Sequence, residues 1–179
     1  GWTDLIDALG AKTGEDTTTF AGWVAAMENR RQFFKSMGAV SSDHAPYRLD
    51  ETGKLSAGPN PNFKQIANGL PGLETRLPLL FDALVSKGRP EFAGRGLEAF
   101  VNLTATAPAE IYNLPGKGAL LPGYDADIAI WDAGKQVTIT DAALHDLTGF
   151  TPFAGRSVTG WPEHVLVRGQ DVVSGGALH

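Results

Sequence analysis

The 179-residue sequence has no cysteine. Disulfides and thiolate metal ligands are therefore excluded, and a metal here would have to be held by nitrogen and oxygen donors. Positive charge is also in short supply, with 15 Lys and Arg against 20 Asp and Glu for a formal charge of -5. No basic cluster stands out, which argues against a groove for nucleic-acid phosphates. No apolar run approaches the roughly eighteen residues of a membrane span. The opening Gly1-Trp2-Thr3-Asp4 has no basic start followed by an apolar stretch, so no signal peptide is expected and a cytoplasmic location is the default. Internal repeats and low-complexity tails are missing. His44, His145, His164 and His179 form no His-x-His or His-Glu-x-x-His pair, so this chain by itself is not expected to build an ordinary catalytic zinc site. Ser174-Gly175-Gly176 lacks a strand-to-helix elbow, and Gly94-Arg95-Gly96 is too short a glycine signal for a phosphate loop.

The residues present are those of a soluble globular protein, 42% hydrophobic and 20% charged. The length suits one ordinary domain but falls short of the roughly 250 residues of a full eight-fold β/α barrel. Phe20, Trp23, Val24, Met27, Phe34 and Met37 recur at helical spacing opposite Glu28, Asn29, Gln32 and Lys35, which predicts an amphipathic helix ended by Gly38. Residues 39–42 follow as a short apolar strand that delivers Asp43 and His44 at its tip, the position where parallel α/β proteins keep their chemistry. From Ala45 to Pro71, seven glycines and prolines break regular structure, and so long a loop favours a functional role over a simple connector.

Leu73, Leu77, Leu80, Phe81, Leu84 and Val85 mark a second helix closed by Gly88, with Pro78 bending it or in an early turn. Leu97 to Leu103 and Ala107 to Asn113 read as two more helices. After Pro115 the pattern changes to strands at 127–131, 136–140, 165–168 and 172–173. Trp131, Phe150, Phe153 and Trp161 are expected to fill the core of this sheet region. Helices before residue 115 and strands after it mark a boundary there.

The strongest local constellation is Ser42-Asp43-His44-Ala45-Pro46-Tyr47. Asp43 is a hard oxygen donor that can also accept a proton from an activated water. Equally, it could cap a turn, with His44 satisfying it by hydrogen bonding.

Residues 41–175 resemble the hydantoinase and dihydropyrimidinase family. The resemblance rests on SSDHAPY (41–47), NGLPGLETRLPLLF (68–81), NLTATAPAEIYNLPGKGALLPGYDADIAIWD (102–132), FTPFAG (150–155) and GWPEHVLVRG (160–169). It implies an α/β fold: the C-terminal part of a metal-dependent (β/α)8 barrel over 1–115, followed by part of a small β-sandwich domain over 118–179. It implies a hydrolase that opens a small cyclic amide, a dihydropyrimidine or hydantoin ring, in a homotetramer or homodimer. Two divalent metals, usually Zn2+, would be bridged by a carboxylated lysine from outside this chain. Asp43 resembles the family's last metal-binding aspartate, which also shuttles a proton to the leaving nitrogen. Asn68 falls where an asparagine backbone holds the substrate, His44 would stand behind the ligands rather than among them, and Glu74 and Arg76 would fix the loop to the following helix. The histidine pair and the lysine have no counterpart here, so the isolated chain is expected to be inactive.

Residues 1–38 depart from that family. FAGWVAAMENRRQFFKSMGAVSSDH is instead similar to a stretch of uronate isomerases, which belong to the same superfamily. Dihydroorotase and allantoinase are the nearest alternatives. Many dihydroorotases carry a carboxylate-binding histidine at the position of Tyr47, and a phenol cannot become the cation that such a site uses. A non-catalytic scaffold of the same fold is a third possibility, opposed by the retention of Asp43.

Overall fold

Past the proline- and glycine-rich stretch, the first regular element begins where leucines fall at helical spacing. The computed structural model describes residues 44–179, together with Ala11 and Gly14. The helix expected over Phe20–Met37, the strand expected over 39–42, and Asp43 lie outside the described residues. Helix α1 spans Leu73–Phe81 and continues over Asp82–Ser86 in the wider π register, closed by the Lys87 N–H on the Asp82 carbonyl at 2.8 Å. Pro78 lies inside α1 and is fully buried. Gly88 follows with φ 66°, as expected of a glycine helix stop.

Helix α2, Gly96–Val101, runs through a π segment, Asn102–Thr106, into α3, Ala107–Ile111. The two helices expected at 97–103 and 107–113 are therefore one helical stretch. Nothing between them breaks a helix, and Thr104 turns its hydroxyl back onto the Phe100 carbonyl at 2.7 Å. Pro108 removes the donor that would serve the Thr104 carbonyl, and the wider turn sits just before it. The stretch ends at Asn113, which adopts φ 49°. Leu114 N–H bonds the Ala109 carbonyl (2.8 Å) and Asn113 N–H that of Glu110 (3.2 Å), a Schellman arrangement with asparagine at the left-handed position.

Four antiparallel strands follow in sequential order: β1 Ile128–Thr138, β2 Ser157–Val167, β3 Gln170–Ser174 and β4 Ala177–Leu178. The separate strands expected at 127–131 and 136–140 are the two halves of β1. Its register slips between Asp132 and Gln136, and Asp132 Oδ1 accepts the Gly134 and Lys135 N–H groups at 2.9 and 3.1 Å. Residues that read as a chain reversal thus form a bulge. Strand β2 begins eight residues before the expected Val165. Pro162 stands opposite Trp131 where the ladder is already out of step, a position at which a missing N–H is tolerated. Arg168-Gly169 and Gly175-Gly176, all with positive φ, make the two tight hairpins.

The chain divides into two compact units, Gly1–Val40 and Ser41–His179, and α1 to β4 all belong to the second. Helix and sheet share its core. Trp131 of β1 stacks on Phe81 (4.7 Å between centroids, 5° between planes) and meets the edge of Phe100 at 5.3 Å. Ile139, Leu144 and Val158 form a second cluster with Leu79, Phe153 and Trp161 around it. Trp131 therefore joins sheet to helices instead of filling the sheet's own interior.

One buried polar contact ties α1 to β2. Asp82 is 1% exposed, and its carboxylate accepts the Thr159 N–H at 3.0 Å and pairs with Lys87 Nζ at 2.7 Å. Burial raises its pKa, but the Lys87 hydrogen bond, the Thr159 N–H and the charges of Lys87 and Arg156 together hold it below the usual carboxylate range. A folded-state pKa below the unfolded value adds stability above about pH 4 that is lost as pH falls through the folded value. Asp82→Asn is expected to lower stability near neutral pH by about 1–3 kcal/mol. The gap from wild type should close in acid. Urea unfolding at pH 7 and pH 3 checks this, and an equal gap at both values would contradict it.

Candidate functional site

Residues 45–72 form a long loop whose two ends are tied together. His44 makes a parallel bridge with Leu70, and Ala45 N–H bonds the Leu70 carbonyl at 3.1 Å. His44 Nδ1 accepts the N–H groups of Gly72 and Leu73 at 3.1 and 3.2 Å. Those donors open α1 and have no partners inside the helix. The imidazole therefore serves as its cap through Nδ1. This gives His44 a structural task that the sequence did not indicate.

At the base of the loop, Gly69 has φ 137°, and a Cβ there would lie 2.4 Å from that of Ala45. Only glycine allows the two ends to approach so closely. Asn68, immediately before it, is exposed and makes no hydrogen bond to another described residue.

Lys54 was not singled out in the sequence, where a lysine in a polar loop reads as solvated. It is 8% exposed, and Nζ donates to the carbonyls of Ala67 (2.8 Å) and Gly69 (2.6 Å), on either side of Asn68. The rings of Tyr47 and Phe150 lie 5.9 and 5.6 Å from the ammonium. Phe150 thus lines the loop and not the sheet core. Leu49 N–H bonds the Thr148 carbonyl at 2.9 Å, a second tie between the loop and the segment that carries Phe150.

Glu74 does not hold the loop. Its carboxylate accepts the His145 N–H at 2.8 Å and meets His145 Nδ1 at 2.9 Å, which fixes α1 to the 141–149 segment. His164 lies within β2 opposite Ile130. Among the described residues no three His, Asp or Glu side chains converge as a metal site. The described residues alone therefore do not fit a metal pair, and Asp43 lies outside them.

The sequence profile of the amidohydrolase family matches residues 37–172. The chain belongs to the amidohydrolase family. It is 36% identical over 138 residues to a D-hydantoinase of Rhizobium radiobacter and 37% identical over 139 residues to one of Ralstonia pickettii. These alignments cover 76% and 77% of this chain but 28% of each relative. The structure of a D-hydantoinase (dihydropyrimidinase) from Thermus sp. superposes with a TM-score of 0.69 at 28% identity, covering 85% of this chain and 32% of that one. The chain spans under a third of the length of these relatives. Among the described residues of this amidohydrolase chain, no helix is long and apolar enough to cross a membrane.

Proposed function

We propose that this chain forms part of a cytoplasmic, metal-dependent hydrolase that opens cyclic amides of the dihydropyrimidine or hydantoin class. The observation that carries the reading is Asn68, an exposed residue whose peptide makes no hydrogen bond among the described residues, within a segment similar to D-hydantoinases. In this reading residues 1–115 contribute to a β/α barrel and residues 118–179 to a small β-sandwich domain. The whole protein works as a homodimer or homotetramer. Asp43 is the metal ligand contributed by this chain, and the remaining ligands, a carboxylated lysine among them, come from outside it. Two divalent ions, Zn2+ in the first instance, would polarise the ring carbonyl and acidify the attacking water. Asn68 holds the cyclic amide by its backbone. Asp43 accepts the water's proton and returns it to the departing ring nitrogen. His44 keeps the segment after Asp43 in place through its bonds to the start of α1.

The full-length protein, purified with zinc, is expected to open dihydrouracil and 5-substituted hydantoins, followed by the loss of ring absorbance. Chelation should abolish the activity and added divalent metal restore it. Preference for dihydroorotate or allantoin would move the protein to those substrates, and no ring opening with metal bound would end the reading.

A further inference from the structure

An ammonium group buried without partners costs several kcal/mol, so a buried lysine in a loop must be held by specific groups. Lys54 is held by two carbonyls and two aromatic faces. The carbonyls belong to Ala67 and Gly69, the residues on either side of Asn68, so one cation grips the chain at both flanks of a single peptide. Peptide units are planar, and the described chain contains no cis bond. Aiming the Ala67 carbonyl at Lys54 therefore turns the Asn68 N–H to the opposite side, away from the ammonium. Gly69 permits this path of the chain, because its φ of 137° suits glycine and a Cβ there would lie 2.4 Å from that of Ala45.

We infer that Lys54 is a positioning residue for substrate: it clamps the backbone at Ala67 and Gly69 so that the Asn68 peptide is presented, preformed, to a cyclic amide. This rests on the proposed role of Asn68. A preformed donor avoids the ordering cost that a free loop would incur on binding. Lys54 touches neither the ring nor the reacting atoms. Its loss should weaken ground-state and transition-state binding alike, raising KM while leaving kcat nearly unchanged.

The test is Lys54→Met in the full-length, metal-loaded protein, with Lys54→Arg as a second variant that keeps the charge but changes the reach. Two measurements are made on each: steady-state hydrolysis of dihydrouracil, and amide hydrogen exchange in a peptide covering residues 66–72. Lys54→Met is expected to raise KM about tenfold, to change kcat by less than about threefold, and to speed exchange in that peptide while cooperative thermal unfolding persists. Lys54→Arg should fall between Lys54→Met and wild type in both. Should Lys54→Met fail to unfold cooperatively, Lys54→Arg decides by the same two readouts. Unchanged KM and exchange would overturn the inference. So would faster exchange with KM unchanged, which would make Lys54 a loop staple with no bearing on substrate. If wild type opens no ring, the cyclic-amide reading and the substrate role of Lys54 fall together, and the exchange result alone decides the clamp.

Discussion

Asp43→Asn in the full-length, metal-loaded protein is expected to lower ring opening by about a hundredfold or more. The substitution preserves shape but removes the negative charge and the basic oxygen. Cleavage of a cyclic amide leaves a nitrogen that is a poor leaving group until protonated, and in the proposed mechanism only Asp43 brings that proton. An asparagine could still fill the space and accept a hydrogen bond, so substrate affinity should change far less than turnover. Because Asp43 is also the proposed metal ligand, metal content has to be measured on the same sample. A variant that retains its metals and hydrolyses at nearly the wild-type rate would rule Asp43 out as the proton carrier. Loss of metal and activity together would leave Asp43 a ligand, with its proton transfer then read from the pH dependence of the metal-reconstituted variant.

The largest effect on folding is expected at Gly160→Ala. Gly160 lies in β2 with φ 100°, and a Cβ there would lie 2.1 Å from Phe81 Cδ1 and 2.4 Å from Cε1. Phe81 cannot move aside, because it is 3% exposed and wedged between Trp131 and Phe100. The forced backbone costs about 1–3 kcal/mol, and overpacking of the core adds about 1–3 kcal/mol. Gly149 supplies the control, with φ 74° and nothing within 4 Å of an added Cβ. Gly149→Ala should show only the backbone part. Urea unfolding of the two variants separates the contributions, and equal losses would mean that Phe81 yields. Adding Phe81→Leu to Gly160→Ala should recover part of the loss if the ring is the obstacle.

The same residues explain what the sequence concealed. A glycine and a proline in Thr159-Gly160-Trp161-Pro162 look like a break between elements, yet both belong to β2. Gly160 makes room for the Phe81 ring, and Pro162 occupies an existing slip in the ladder. These reasons are tertiary and leave no local trace. The stripe from Leu73 to Val85 was legible because burial of one helix face imposes its period on the chain. The irregularity of residues 45–71 was legible for the opposite reason, its density of proline and glycine. Asn68 could be singled out only by likeness to a family, since nothing in an Asn-Gly pair separates a ligand contact from an ordinary turn. Lys54 was hidden further still. Its meaning depends on two carbonyls thirteen and fifteen residues away, and composition cannot show where carbonyls point.

The joined ends of residues 45–72 separate the length of that segment from its geometry. The grip of His44 and Ala45 on residues 70–73, and of Lys54 on 67 and 69, lies at the base. The run from Pro59 to Lys64, exposed except at half-buried Pro61, lies between these anchors in sequence. Residues gained or lost in that run alter a stretch whose closure cost rises by only about 0.6 kcal/mol for each doubling. Descendants of this chain could therefore vary the outer run freely, changing what a ligand meets on approach while the peptide that receives it stays in place.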